Sequence, residues 1–308
     1  MKIAYLILAH RNPKLIKKVV DCLSCEGVSF FVHIDAKVAI EQFDSINSNN
    51  VFFSNKRIPV YWGEFSQTEA IFLLIEEALA APQYYDYLVL LSGSDFPLKS
   101  GRYVRTFLEA NQGREFITLF KLPAPGMSLS RVNTLRFPSS RPIPRLLFRV
   151  LAKFGLAQRD YRKYFGDLDL YSGHTWWALS RESCQYILEF RRSRPEVAGF
   201  FENTHASDEM LIHTILGNSP FRSQIKRHLV YEDWPKNGPR KHPSMMNSRH
   251  VDLFENEEAV SAPDLHGAGE MLFARKFSDD QLHLVERVEE MIRKKDHQDQ
   301  GNLTDVRH

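Results

Sequence analysis

Hydrophobic and polar positions follow two alternating periods along the first 120 residues. Short apolar, β-branched or aromatic runs bounded by polar residues read as strands over Ile3–Ala9, Val28–Ile34, 51–54, 87–91 and 115–120. Between them, apolar residues recur at helical spacing. Leu15, Val19 and Leu23 mark a helix over 13–25, and similar patterns cover 66–81 and 102–110. Strands alternating with helices, one of them apolar throughout (Tyr87-Leu-Val-Leu-Leu91), predict a mostly parallel sheet covered on both faces. From about residue 122 to 164 proline, serine and arginine break the pattern. Beyond it the sequence predicts strands over 175–179 and 224–231 and helices over 181–192 and 208–216. A polar, loop-rich stretch over 238–262 precedes a last helix through Leu282, Val285, Val288 and Ile292, and 294–308 reads as a frayed tail. With no internal repeat, the economical reading is one α/β domain over 1–295 and a flexible tail over 296–308. Its Rossmann-like N-terminal half would span 1–121 and its second half 122–295.

Composition narrows the class. Hydrophobic residues at 43% and charged residues at 25% match an ordinary globular chain and exclude a disordered or collagen-like one. A formal charge of +2 gives no global case for nucleic acid, so electrostatic function must be local. The longest apolar run falls far short of the ~20 residues a membrane span needs. The N-terminal stretch resembles a signal peptide only superficially, because charged Arg11 and Lys14 arrive before any small-residue cleavage site; a buried first strand explains it better. Three cysteines argue against a disulfide framework and fit a reducing cytoplasm. Cys22 and Cys25 have no second pair with which to complete a zinc site.

Open parallel sheets bind ligands beyond the carboxyl ends of their strands. Three polar loops fall there: His10 after the first strand, Asp35 after the second, and Ser92-Gly-Ser-Asp-Phe-Pro97 after 87–91. Asp35 could accept from a ribose or base and Asp95 from hydroxyls, or each could simply cap a turn. Together the loops suggest nucleotide binding, yet neither G-x-G-x-x-G nor G-x-x-x-x-G-K-[ST] occurs, which argues against a dehydrogenase or P-loop NTPase. Ser207-Asp208-Glu209 reads as a helix start, with Ser207 as N-cap and two acids where the macrodipole favours negative charge. A carboxylate fixed there suits a general base, with ordinary capping as the alternative. Residues 141–163 hold seven Arg or Lys and one acid, Asp160, with Arg145, Arg149 and Lys153 opposite Leu147, Leu151 and Phe154. That stretch could lie on an anionic membrane or form a solvated acceptor loop.

Seven segments then fall into one order. They are Tyr5-Leu-Ile-Leu-Ala-His-Arg-Asn-Pro13, Phe31-Val-His-Ile-Asp-Ala-Lys37, Val60-Tyr-Trp-Gly-Glu-Phe-Ser-Gln67, Tyr87 through Ser100, Ser172-Gly-His-Thr-Trp-Trp-Ala-Leu-Ser-Arg-Glu182, Ser207-Asp-Glu-Met-Leu211 and Leu272-Phe-Ala-Arg-Lys-Phe277. In them the chain resembles the core-2/I-branching enzymes, glycosyltransferases that include branching β-1,6-N-acetylglucosaminyltransferases and peptide O-xylosyltransferases. The resemblance implies a GT-A-like fold and an inverting reaction with a UDP-sugar donor, N-acetylglucosamine or xylose, and no essential metal or other cofactor. It makes Glu209 the general base and places Lys276 on the diphosphate, with Arg240, Lys241 or Arg249 as a second basic partner. His10 and Asp35 match nucleoside-binding loops, and Ser94 and Asp95 fall near the donor sugar. Glu64, Trp176, Trp177 and Trp234 are the acceptor-side residues, the tryptophans as sugar-stacking faces or, alternatively, as core. The expected acceptor is a glycan or lipid-linked saccharide in surface-polysaccharide synthesis. The expected location is the cytoplasm, with 141–163 either against the inner membrane face or free as an acceptor loop, and no nucleic-acid partner is expected. Two rivals stand beside this reading. One is a non-catalytic sugar-nucleotide or glycan binder. The other is a metal-dependent enzyme using Asp167-Leu-Asp169, a D-x-D that also arises often by chance, with Asp35 and Asp95.

Overall fold

β1 (Ile3–Ala9) and β2 (Val28–Ile34) are buried almost throughout, as parallel strands covered on both faces should be. With β3 (Val51–Phe53) and β4 (Tyr87–Ser92) they form a parallel block in the order β3-β2-β1-β4. The helices α1 (Pro13–Leu23) and α2 (Phe65–Ala80) make the crossovers. These run in opposite directions along the sheet, and right-handed connection puts the two helices on opposite faces. The computed structural model describes residues 1–124, 129–137, 146–147, 150, 153–235, 242–257 and 259–305. Arg240 and Lys241 therefore lie outside the described residues, as does part of 141–163. Of that basic stretch, Leu146, Leu147, Val150, Phe154 and Leu156 are exposed.

After β4 the chain reverses into β5 (Asp95–Pro97), which leaves the main sheet, and α3 (Gly101–Ala110) follows. The expected strand over 115–120 is two strands in different sheets, β6 (Glu115–Phe116) and β7 (Leu119–Leu122). Between them the Thr118 hydroxyl bonds to His228 and Asp264, which turns the backbone out of the first sheet. β7 pairs antiparallel with β8 (Leu170–Gly173), and β9 (Ala178–Ser180) joins the main sheet antiparallel to β4 and β6. The expected strand over 224–231 also divides, into β10 (Ile225–Lys226) beside β6 and β11 (Val230–Glu232). The stretch over 238–262 was expected to be loop. It contains the helix Ser248–Asn256, started by a capping box between Asn247 and His250, before the hairpin β12 (Ser261–Asp264) and β13 (Gly267–Glu270). β14 (Phe273–Arg275) completes a small sheet in the order β11-β14-β5, setting Arg275 opposite Asp95. The last helix, Leu282–Asp305, runs on through most of the segment expected to fray.

Candidate active site

The carboxyl ends of β1, β2 and β4 open on a cavity of about 1330 Å³, more than the usual 300–1,000 Å³ of a pocket for one drug-sized ligand. His10 and Arg11 reach it from β1, Asp35 from β2, and Ser94 from the turn after β4. Asn12 holds two of these loops together. It adopts the left-handed conformation that asparagine tolerates, and its amide donates to the Gly93 carbonyl at 2.8 Å and the Ser94 hydroxyl at 3.3 Å. The Asp35 carboxylate accepts from the Lys37 amide at 2.9 Å and lies 3.1 Å from its ammonium. Burial, and then the charge of Arg11, push the His10 imidazole below its ordinary pKa.

The opposite side is built by the small sheet. Arg275 contacts Asp95 at 3.0 Å and Glu232 at 3.3 Å, and its guanidinium stacks 4.4 Å from the Trp176 ring centre. Glu232 also accepts from the Trp234 indole at 3.0 Å and pairs with His174 at 3.1 Å. Burial opposes ionisation of Glu232, but the His174 hydrogen bond and its charge, with that of Arg275, bring the carboxyl down to about 2. His174 moves the other way: burial opposes its charge, yet Glu232 raises its pKa. Lys276 lines the cavity beside this cluster, and burial, then Arg275 and Arg11, lower its pKa.

The acidic pair sits elsewhere than the sequence suggests. Ser207–Glu209 is a separate 3₁₀ turn, and the helix begins only at Leu211. Ser207 is no N-cap; its hydroxyl bonds the Thr68 hydroxyl at 2.8 Å. The reason is Ala206, whose left-handed backbone turns the chain so that Ser207 and Asp208 point into the protein. Asp208 accepts from Gln67 at 2.8 Å and Thr175 at 2.9 Å through one oxygen, while the other is buried without a partner. Burial, then the neighbouring Glu209 charge, push the Asp208 carboxyl up to about 6. Glu209 lines the cavity and pairs with Arg131 at 2.5 Å.

Asp208 gives a pH prediction. Its folded pKa lies above the ordinary value of 3.8, so the folded state holds that proton longer than the unfolded chain. The stabilising effect is complete below the ordinary pKa and is lost as pH rises through about 6. Asp208→Asn should therefore melt higher than the parent at pH 7.5, by on the order of 2–3 kcal/mol of stability, with the difference vanishing near pH 4. A gap unchanged across that range would remove the titration from Asp208.

Of the expected site residues, His10, Asp35, Ser94, Glu209, Lys276, Trp176 and Trp234 line the cavity. Asp95 does not. It is fully buried, accepts from the Ser92 amide at 2.6 Å and hydroxyl at 2.9 Å, and reaches the cavity only through Arg275. Trp177 packs in the core, Glu64 lies outside the lining, and Arg249 is exposed on the Ser248–Asn256 helix away from it. Asp169 pairs with Lys121 at 2.8 Å, and neither it nor Asp167 faces the cavity. Among the described residues, no group of three His, Cys, Asp or Glu is placed to hold a metal ion. Sequence reasoning missed Arg11, Trp62, Gln67, Arg131, His174, Glu232 and Arg275, all of which line the cavity. Five stand inside the quoted segments, Arg11 and Arg275 directly beside chosen residues; Glu232 lies two residues before Trp234 outside those segments, and Arg131 stands in the proline- and arginine-rich stretch that carries no pattern.

The fold and site together define an α/β protein with a polar, carboxylate- and cation-lined cleft at a parallel sheet's carboxyl edge. A model of the Core-2/I-Branching enzyme family matches residues 3–256, and the chain belongs to that family. It is 22% identical over 224 residues to a rat beta-1,3-galactosyl-O-glycosyl-glycoprotein beta-1,6-N-acetylglucosaminyltransferase 3, covering 69% of this chain and 46% of the relative. It is 22% identical over 244 residues to rat xylosyltransferase 2, covering 76% and 27%. The chain thus matches less than half the length of these curated relatives. Among solved structures, the galactosyltransferase LgtC in complex with donor and acceptor sugar analogs aligns with a TM-score of 0.36 at 11% identity, over 92% of this chain and 95% of that one. That likeness is too distant to define the fold, which rests on the strand order itself.

Proposed function

We propose that the chain is a glycosyltransferase that moves N-acetylglucosamine or xylose from a UDP-sugar to a hydroxyl of a glycan or glycoconjugate, with inversion and without an essential metal. The observation that carries this reading is the meeting of Glu209 with Arg11, Lys276 and Arg275 around one cavity large enough for two substrates. In the reaction, Glu209 takes the proton of the acceptor hydroxyl as that oxygen forms its bond to the anomeric carbon. The bond from that carbon to the diphosphate oxygen breaks on the opposite face, and its electron pair leaves with UDP. Lys276 and Arg11 meet the negative charge that develops there. Arg275, already engaged by Asp95, Glu232 and Trp176, holds the edge of the cleft in shape and adds to the positive field.

Thermal melting with UDP, GDP and CDP, in EDTA and then with manganese, tests the donor site. UDP at ~100 times its dissociation constant should add about 2.7 kcal/mol of stability in EDTA, with GDP and CDP well behind. A shift that appears only with manganese would overturn metal independence, and no shift with any nucleotide would overturn the donor assignment.

A further inference from the structure

One aromatic side chain has no part in the reaction as drawn. Trp62 lines the cavity with 66% of its surface exposed, against 37% for Trp234 and 6% for Trp176. Tryptophan is among the residues most buried on average, so an open indole at the mouth of a cleft calls for an occupant. His205 and His242 meet the indole at ring separations of 5.7 and 5.2 Å and steep interplanar angles of 72° and 64°. They steady the ring and leave most of it uncovered.

The turn that carries Trp62 is fastened to the turn that carries the proposed base. Gly63 takes a positive φ of 71°, and a Cβ there would meet the His205 ring at 2.6 Å, so the two turns approach as closely as glycine allows. The Gly63 carbonyl accepts from the Ala206 amide at 2.8 Å. Thr68 and Ser207 then share a hydroxyl bond at 2.8 Å, and Gln67 donates to Asp208 at 2.8 Å. Three consecutive residues, Ala206, Ser207 and Asp208, are thereby tied to 63–68, and Glu209 comes next in the chain. Trp62 and Glu209 therefore stand in fixed register on adjoining turns that both line the cleft.

We propose that Trp62 is the stacking platform for a sugar ring of the acceptor, held in register with Glu209 so that a ring hydroxyl meets the carboxylate. This rests on the glycosyltransferase reading. A pyranose with mostly equatorial hydroxyls offers one face of C–H groups, which the indole face binds by dispersion and by its negative quadrupole. The hydroxyls at the rim of the sugar then remain free for the polar groups around the cavity. The acceptor class this selects is a β-linked saccharide of the gluco, galacto or xylo series.

Isothermal titration with N-acetyllactosamine, N,N′-diacetylchitobiose and xylobiose in saturating UDP tests the platform. Trp62→Ala should weaken the best-bound of these saccharides about tenfold or more, and Trp62→Phe, which keeps an aromatic face, should recover most of the loss. UDP affinity, measured alone, should stay within about twofold of the parent in both variants. Unchanged saccharide binding in Trp62→Ala overturns the platform. A parallel loss of UDP affinity also overturns it, because Trp62 would then serve the nucleobase, and so does a parent protein that binds none of the three saccharides. If the parent binds saccharide through Trp62 but binds no UDP, the platform stands and the transferase reading falls. Trp62 is exposed, so both variants should melt with the parent, and circular dichroism checks that they do.

Discussion

Replacing Glu209 by glutamine is expected to lower turnover by about 10²- to 10⁴-fold, the range a positioned general base contributes. Glutamine keeps the length and shape of the side chain and can still accept a hydrogen bond from Arg131, which engages one carboxylate oxygen in the parent. It cannot take a proton from an acceptor hydroxyl at neutral pH. The loss should therefore fall on turnover, with UDP affinity nearly unchanged. UDP release from UDP-N-acetylglucosamine and UDP-xylose, with the three saccharides as acceptors, measures the first, and titration calorimetry the second. Full activity in Glu209→Gln would move the base to another group. Asp208 would be the first to try, since its second oxygen is buried and unpartnered.

The second large effect concerns stability. Gly173 ends β8 where that strand crosses closest to Thr118, and a Cβ built there would lie 1.8 Å from the Thr118 carbonyl oxygen and 2.7 Å from the His213 ring. Neither neighbour can retreat cheaply. The carbonyl belongs to the bend between β6 and β7, and His213 is fully buried, with its Nε2 2.8 Å from the His174 carbonyl. Gly173→Ala should cost about 4 kcal/mol or more, above the usual range for overpacking, and lower the melting temperature by roughly 10 °C. Gly199 is the control. It stands in the helix Pro195–Phe201 with open space around it, so Gly199→Ala should be neutral or stabilising by about 0.5–1 kcal/mol. A Gly173→Ala protein that melts with the parent would show that the two strands have room to part.

The parallel half of the molecule was legible because its strands are buried on both faces and announce themselves as apolar runs of the right length. β1, β2 and α1 lie where periodicity put them, within a residue or two. Legibility failed where a side chain, not a pattern, decides the backbone's course. Thr118 divides one apolar run between two sheets through its hydroxyl, and Arg227 and His228 similarly separate β10 from β11 by bonding to Glu270 and Thr118. Local propensity carries no trace of partners so far away in the chain. The site shows the same split. Residues after strand ends were found, because strand ends can be read. The buried relay of Asp95, Arg275, Glu232 and His174 was not, since Asp95 looks in sequence like a ligand-facing loop acid. Only the pairing of β5 with β14 turns it inward.

That pairing also orders events in time. A chain emerging from the ribosome folds its early segments first, and β1 to β4 with α1 and α2 already form a covered parallel layer. Asp95 would be buried there as a lone carboxyl, an expensive state without an opposite charge. Arg275, its counterion, and Lys276 are synthesised long after Asp95. The amino-terminal layer must wait, with β5 unpaired and the cleft half lined, until the strand at 273–275 arrives. On the proposed reading, nascent protein should therefore acquire its capacity to bind a nucleotide abruptly, once the strand at 273–275 has been made, and carry none of it before.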